Sequence, residues 1–150
     1  MDKKYEALLL KNQLCFPLYA VSNMIIRKYK PLLDELDLTY TQYIVMMVLW
    51  EKEEVNEKTL CDTLFLKSNT ITPLLNKLKD KGYIKKEKAL DDERNLVISL
   101  TDSGRTLKEK AVNVPECISK ELNLSVEEAG LLYTILYKLI NYEKNKEEEK

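Results

Sequence analysis

The sequence predicts a mainly α-helical chain interrupted by one small β-hairpin. Three observations carry that expectation. Apolar residues recur at three- and four-residue spacing over most of the chain, and residues able to cap helices stand at the starts of those stretches. Only between about residues 83 and 100 does the period change to that of short strands.

A first helix is expected over roughly residues 14 to 35. The stretch "NQLCFPLYA" puts Cys15 and Pro17 just before a long apolar segment. Proline is harmless in a first helical turn, where the N–H groups have no partner, so Pro17 starts or bends the helix there. Cys15 then sits at a helix N-terminus, where the positive end of the macrodipole favours negative charge on sulfur. The helix should end before "DLT".

Thr39 with Gln42 three residues later forms a capping box that opens a second helix, with Tyr43, Met46, Met47 and Trp50 on its apolar positions. Asn56 can cap a short third helix carrying Leu60 and Leu64. Ser68 or Thr70 can cap a fourth, in which Ile71, Leu74, Leu75 and Leu78 make one stripe, ended by Gly82 in a left-handed position. Two strands follow, Tyr83 to Lys86 and Leu96 to Leu100, joined by the charged loop "ALDDERN". Helical character resumes from about Thr101 to Leu122. A last helix starts at Ser125, with Glu128 completing a second capping box and Leu131, Leu132, Ile135, Leu136, Leu139 and Ile140 on a broad apolar face. The "KNKEEEK" tail reads as a solvated end.

With 150 residues, 45% hydrophobic and 33% charged, the chain is long enough for one globular domain with a real core, 1–150. Nine tyrosines, two phenylalanines and a tryptophan against three glycines and four prolines argue against disorder. The longest apolar run, Tyr43 to Trp50, is too short for a bilayer. Lys11, Asn12 and Gln13 interrupt the N-terminal leucines, so no signal peptide is expected and the location is read as cytoplasmic, with no membrane partner. Three dispersed cysteines and no histidine exclude close-spaced zinc ligands and a disulfide framework. No metal and no cofactor are expected, and any cysteine function should be redox or nucleophilic.

Net charge is −1, but it is unevenly spread. Residues 67 to 88 hold seven lysines against Asp80 and Glu87, while residues 51 to 63 are acidic on balance. Two short helices with a tight turn, then a hairpin, then this positive excess, form a helix-turn-helix with a wing, spanning about residues 39–102. Ser68, Asn69, Thr70, Thr72, Asn76 and Lys77 lie on the solvent side of the second of these helices and can bond to base edges and phosphates. Arg94 is the only arginine of the wing, and its weakly hydrated planar head suits a narrow minor groove. Asp92 either braces it or caps the loop. The partner implied is double-stranded DNA. Both chain ends, about 1–38 and 103–150, are apolar helices beyond the winged core's needs, and a second copy would cover them, giving a homodimer on a pseudo-palindromic operator.

The stretches "NQLCFPLYA", "KYKPLLDELDLTYTQY", "SNTITPLLNKLKDKGYI" and "DDERNLVISLTDSG" resemble the MarR family of winged-helix regulators, most closely its thiol-sensing OhrR, MgrA and SarZ branch. The resemblance covers about residues 10 to 110, and the C-terminal helices match only in pattern. It implies Cys15 as oxidation sensor, with Tyr29 and Tyr40 of the partner subunit bonded to its sulfur and Tyr19 a weaker candidate. It also implies Arg94 as the minor-groove residue, Asp92 as its brace, and Ser68 through Lys77, Pro73 included, as the reading helix. Lys67 and Asn69 depart from the acidic and small residues often found there in the family. Cys117 is either a resolving thiol or a small buried hydrophobe, and Cys61 is expected to be packing.

The resemblance thus implies a transcriptional regulator, a repressor and not an enzyme, that releases its operator when an organic hydroperoxide or another oxidant converts Cys15 to a sulfenic acid. Two alternatives are a regulator of the same fold released by a small aromatic ligand, and a thiol peroxidase. The second lacks an arginine or histidine near Cys15 and leaves the basic helix unexplained.

Overall fold

Thr39, Asn56, Thr101 and Ser125 each close a first helical turn by accepting a backbone N–H on the side-chain oxygen, from Gln42 at 3.3 Å, Thr59 at 2.7 Å, Gly104 at 3.0 Å and Glu128 at 3.1 Å. At Thr39 and Ser125 the third helical residue reaches back to the cap N–H, completing both expected capping boxes. The computed structural model describes residues 3–92 and 94–150, so Glu93 of the charged loop lies outside the described residues.

Two short 3-10 turns, Lys3–Leu8 and Leu10–Asn12, precede α1 (Cys15–Asp34). Then follow α2 (Tyr40–Lys52), β1 (Glu54–Asn56), α3 (Glu57–Leu64), α4 (Ser68–Asp80), β2 (Ile84–Lys88), β3 (Leu96–Leu100), α5 (Asp102–Ala111), α6 (Val114–Leu122) and α7 (Val126–Glu148). The mainly α fold with a hairpin wing is the one expected.

The core forms where α2 is buried on nearly all sides. Tyr43, Val45, Met46, Val48, Leu49 and Trp50 are buried, and of the stripe expected there only Met47 is open, at 45%. Leu60 of α3, Ile71, Leu75 and Leu78 of α4, and Ile84, Ile98 and Leu100 of the sheet complete it. Gln42, buried to 2%, is satisfied because its Oε1 accepts from the Thr39 N–H at 3.0 Å and Lys81 Nζ at 3.3 Å. Gly82 takes φ 79°, the left-handed conformation that reverses the chain between α4 and β2.

Four readings need correction. The sheet has three antiparallel strands in the order β1-β3-β2, with Val55 opposite Ile98 and Lys86 opposite Ile98 on the other side. The strand β1 is only three residues long and carries too little alternation to show in sequence. The expected helix from Thr101 to Leu122 is two helices, α5 and α6. Pro115 lies in the first turn of α6, where a ring without an N–H is tolerated, whereas deep in a continuous helix it would clash with the turn before it. Cys117 therefore belongs to the sixth helix, not the fifth. Finally, neither Ser68 nor Thr70 caps α4: the N-cap is Lys67, with no side-chain cap bond, and Ser68 is already helical.

The chain falls into two compact units. The first runs to Val114 and holds the winged core with α1 and α5; the second, Pro115–Lys150, holds α7 and nearly all of α6.

Candidate functional site

The turn Phe65-Leu66-Lys67 sets the angle between α3 and α4, with Phe65 at φ 54° and the Leu66 N–H bonded to the Cys61 carbonyl at 3.1 Å. Packing Ile71, Leu75 and Leu78 inward turns the opposite side of α4 to solvent. Ser68, Asn69, Thr70, Pro73, Asn76 and Lys77 are all exposed there. Thr72 is not on that open face in the same way. Half-buried, its hydroxyl lies 2.9 Å from Oε1 of Glu57 and 2.8 Å from the Ser68 carbonyl, so its donor is taken by the protein itself.

The wing is tied to this helix. Lys86 Nζ of β2 donates to Asn76 Oδ1 at 2.9 Å. At the wing's end the Ala89 N–H bonds to the Asn95 carbonyl at 2.8 Å and the Asn95 N–H to the Asp92 carbonyl at 3.0 Å. The Asp92 carboxylate accepts from the backbone N–H of Arg94 at 2.9 Å, so of the two roles open to it Asp92 takes the loop cap. The Arg94 side chain is exposed and has no ion-pair partner among the described residues.

Lys58, Lys67, Ser68, Arg94 and Asn95 border one open groove of about 640 Å³ between α3, the start of α4 and the wing. Lys58 and Asn95 were not singled out from sequence. Their only signal was closeness to the α3 cap and the wing turn. Lys81, counted in the positive excess, faces elsewhere: it bonds to the Asp37 carbonyl and sits 3.3 Å from the Asp37 carboxylate. Cys61 also borders the groove, and burial, followed by the Glu57 and Asp62 carboxylates, pushes its thiol up from its ordinary value.

Cys15 is exposed as the first residue of α1, and Pro17 stands third in that turn. Tyr29 and Tyr40 meet in the same chain, ring centroids 4.9 Å apart, and Tyr43 lies 5.8 Å from Tyr29. Burial first, then the neighbouring phenols of Tyr40 and Tyr43, push the Tyr29 hydroxyl up to about 12, so it remains a proton donor at neutral pH. Burial raises Tyr40 as well. Among the described residues neither hydroxyl has a hydrogen-bond partner. Tyr19 is exposed at 68%.

The outward apolar surface of each terminal region is large. In the first unit Phe16, Val21, Met24 and Ile26 of α1 are each more than 40% exposed. In the second, Cys117 is a free thiol of intermediate exposure, and Leu131, Ile135 and Leu139 of α7 are about half exposed or more. Among the described residues no cluster of His, Cys, Asp or Glu could hold a metal ion, and no helix is long and apolar enough to cross a membrane.

A family model described as transcriptional regulator SarA/Rot matches residues 27–111. The chain is 42% identical over 140 residues to the organic hydroperoxide resistance transcriptional regulator of Bacillus subtilis, covering 93% of this chain and 95% of that one. It is 45% identical over 132 residues to the HTH-type transcriptional regulator SarZ of Staphylococcus saprophyticus, covering 88% and 90%. The solved structure of reduced AbfR bound to DNA is similar with a TM-score of 0.75 and 35% identity, over 93% of this chain and 97% of that one. AbfR is a Staphylococcus epidermidis protein.

Proposed function

Because the chain belongs to the SarA/Rot family of transcriptional regulators, of the MarR type, we propose that it is a homodimeric repressor that binds a pseudo-palindromic operator when reduced and releases it when Cys15 is oxidised. It is a regulator and not an enzyme. The observation that carries the DNA-binding half is the groove beside the start of α4 whose walls include Arg94, Lys67 and Lys58, three cations against the one carboxylate of Glu57. Asn69, Thr70, Pro73, Asn76 and Lys77 would face the major groove, with Ser68 at the phosphates and Arg94 in the minor groove.

The sensing half rests on Cys15. An exposed thiol at a helix N-terminus is placed for attack on a hydroperoxide: the thiolate sulfur takes the distal oxygen, the O–O bond breaks, and an alcohol leaves as the sulfur becomes a sulfenic acid. In the dimer, the Tyr29 and Tyr40 hydroxyls of one subunit, protonated and without hydrogen-bond partners among the described residues, would donate to the Cys15 sulfur of the other. Oxidation replaces that acceptor and disturbs the pair. The uncovered apolar surfaces of α1 and α7 supply the dimer interface. The effector is an organic hydroperoxide or a related oxidant, and the working compartment is the cytoplasm.

The deciding experiment adds one equivalent of cumene hydroperoxide to protein bound to operator DNA. Release in the wild type and retention in Cys15→Ser, which keeps the shape but cannot be oxidised in this way, is the expected pair of results. Dissociation of Cys15→Ser under the same treatment would move the sensor to Cys61 or Cys117.

A further inference from the structure

Four aromatic rings form a chain through the first unit. Tyr29 of α1 lies 4.9 Å from Tyr40 and 5.8 Å from Tyr43 of α2, and Tyr43 meets Trp50 edge-on at 6.2 Å. Trp50 is 8% exposed, and its Nε1–H donates to the Gly104 carbonyl in the first turn of α5 at 2.9 Å. The Trp50 carbonyl in turn accepts from Lys108 Nζ at 3.1 Å, so residue 50 holds α5 at two points one turn apart.

On its far side the start of α5 is seated against the root of the wing. A Cβ at Gly104 would lie 2.0 Å from the Tyr83 carbonyl oxygen, so helix and backbone touch with no room between them. Thr101, one residue past β3, bonds to the Gly82 carbonyl through its hydroxyl at 2.6 Å and to the Tyr83 carbonyl through its N–H at 3.1 Å. Trp50 therefore stands between the Tyr29–Tyr40 pair and the origin of both wing strands.

We infer that Trp50 is a positioning residue of the redox response, passing a displacement of the Tyr29–Tyr40 pair to the first turn of α5 and so to the wing. The inference rests on the reading of Cys15 and its tyrosines given above. A helix buried on nearly every side moves as a rod, because close packing leaves no slack within it. A shift of α1 against Tyr40 and Tyr43 thus re-aims the other end of α2, where Trp50 sits. The buried indole N–H cannot leave the Gly104 carbonyl without losing the one partner it has among the described residues, so α5 follows. The absence of space at Gly104 then turns that movement into a displacement of the wing and Arg94.

Trp50 is the only tryptophan, so the intrinsic fluorescence of the full-length protein reports on this one position. Oxidation with cumene hydroperoxide should change the Trp50 emission at the same rate as operator release, and Cys15→Ser should abolish both. Trp50→Phe keeps a ring against Tyr43 but deletes the N–H donor. Its reduced form should bind operator within about twofold of wild type, while the loss of affinity on oxidation shrinks at least about fivefold. Release from the wild type without any change in Trp50 emission, or an undiminished response in Trp50→Phe, would overturn this inference and leave the sensing reading intact. Failure of the oxidised wild type to release DNA would overturn both.

Discussion

Lys86 and Asn76 join α4 to the wing, the lysine ammonium of β2 donating to the α4 amide oxygen at 2.9 Å. The pair fixes the offset between reading helix and wing while leaving both residues at the surface. An exposed hydrogen bond of this kind contributes little to folding, on the order of 0.5 kcal/mol. Under the proposed DNA-binding mode, its value would lie in holding α4 and the wing at one spacing. Lys86→Met should leave the melting temperature within about 2 °C of wild type and weaken operator binding severalfold in a fluorescence-anisotropy titration.

The proposed minor-groove role of Arg94 rests on charge and shape together. Arg94→Ala should weaken specific binding by about 1–3 kcal/mol and lower the slope of log affinity against log salt by about one, with circular dichroism and dimer mass unchanged. An operator affinity equal to wild type would remove the wing from the reading mechanism.

Cys117 is a free, partly exposed thiol in the second unit. If it resolves the Cys15 sulfenic acid across the dimer, attack of its thiolate expels water and forms an intersubunit disulfide. Non-reducing electrophoresis after mild peroxide treatment should show a covalent dimer that disappears in Cys117→Ser and persists in Cys61→Ser. A monomer carrying a small-thiol adduct on Cys15 would assign Cys117 to packing instead.

A Cβ at Gly104 would meet the Tyr83 backbone first, which cannot move aside as the end of a side chain can, and the Leu100 side chain only at 3.2 Å. Gly104→Ala places a methyl group against the Tyr83 carbonyl, so α5 or the start of β2 must shift. The expected cost is about 3 kcal/mol, lowering the melting temperature by roughly 10 °C in a calorimetric scan. Gly130, where an added Cβ meets nothing within 4 Å, supplies the control: Gly130→Ala should be neutral or slightly stabilising.

Tyr29 keeps its proton in the folded chain to about pH 12, whereas an unfolded tyrosine loses it near its ordinary value of 10. Between those values the folded state binds more protons than the unfolded one, so folding stability falls as pH rises through that window and is intact below it. Tyr40 and Tyr43, also raised by burial, act in the same direction. Urea titrations across the window should show the decline, and Tyr29→Phe should make it shallower.

Features set by neighbours in sequence were legible without coordinates. Thr39 with Gln42, Asn56 with Thr59 and Ser125 with Glu128 are three apart, and that spacing alone brings a side-chain oxygen to an orphan N–H. The α4 stripe of Ile71, Leu75 and Leu78, the left-handed Gly82 and the exposed polar residues opposite that stripe follow from local pattern in the same way. Cys15 at the start of α1 follows from Pro17 two residues later. What depends on residues far apart was not legible. The strand β1 exists because Val55 finds Ile98, forty-three residues on, and three residues carry no pattern of their own. Thr72 is drawn to Glu57 across the helix turn, and Trp50 meets Gly104 only because α5 packs on α2. The break before α6 was written in Pro115, but proline permits either a kink or a new first turn, and tertiary structure decided for the second. Local chemistry thus determined the elements and their outward faces, while the groove, the aromatic chain and the seat of the wing were decided by which of those faces came together.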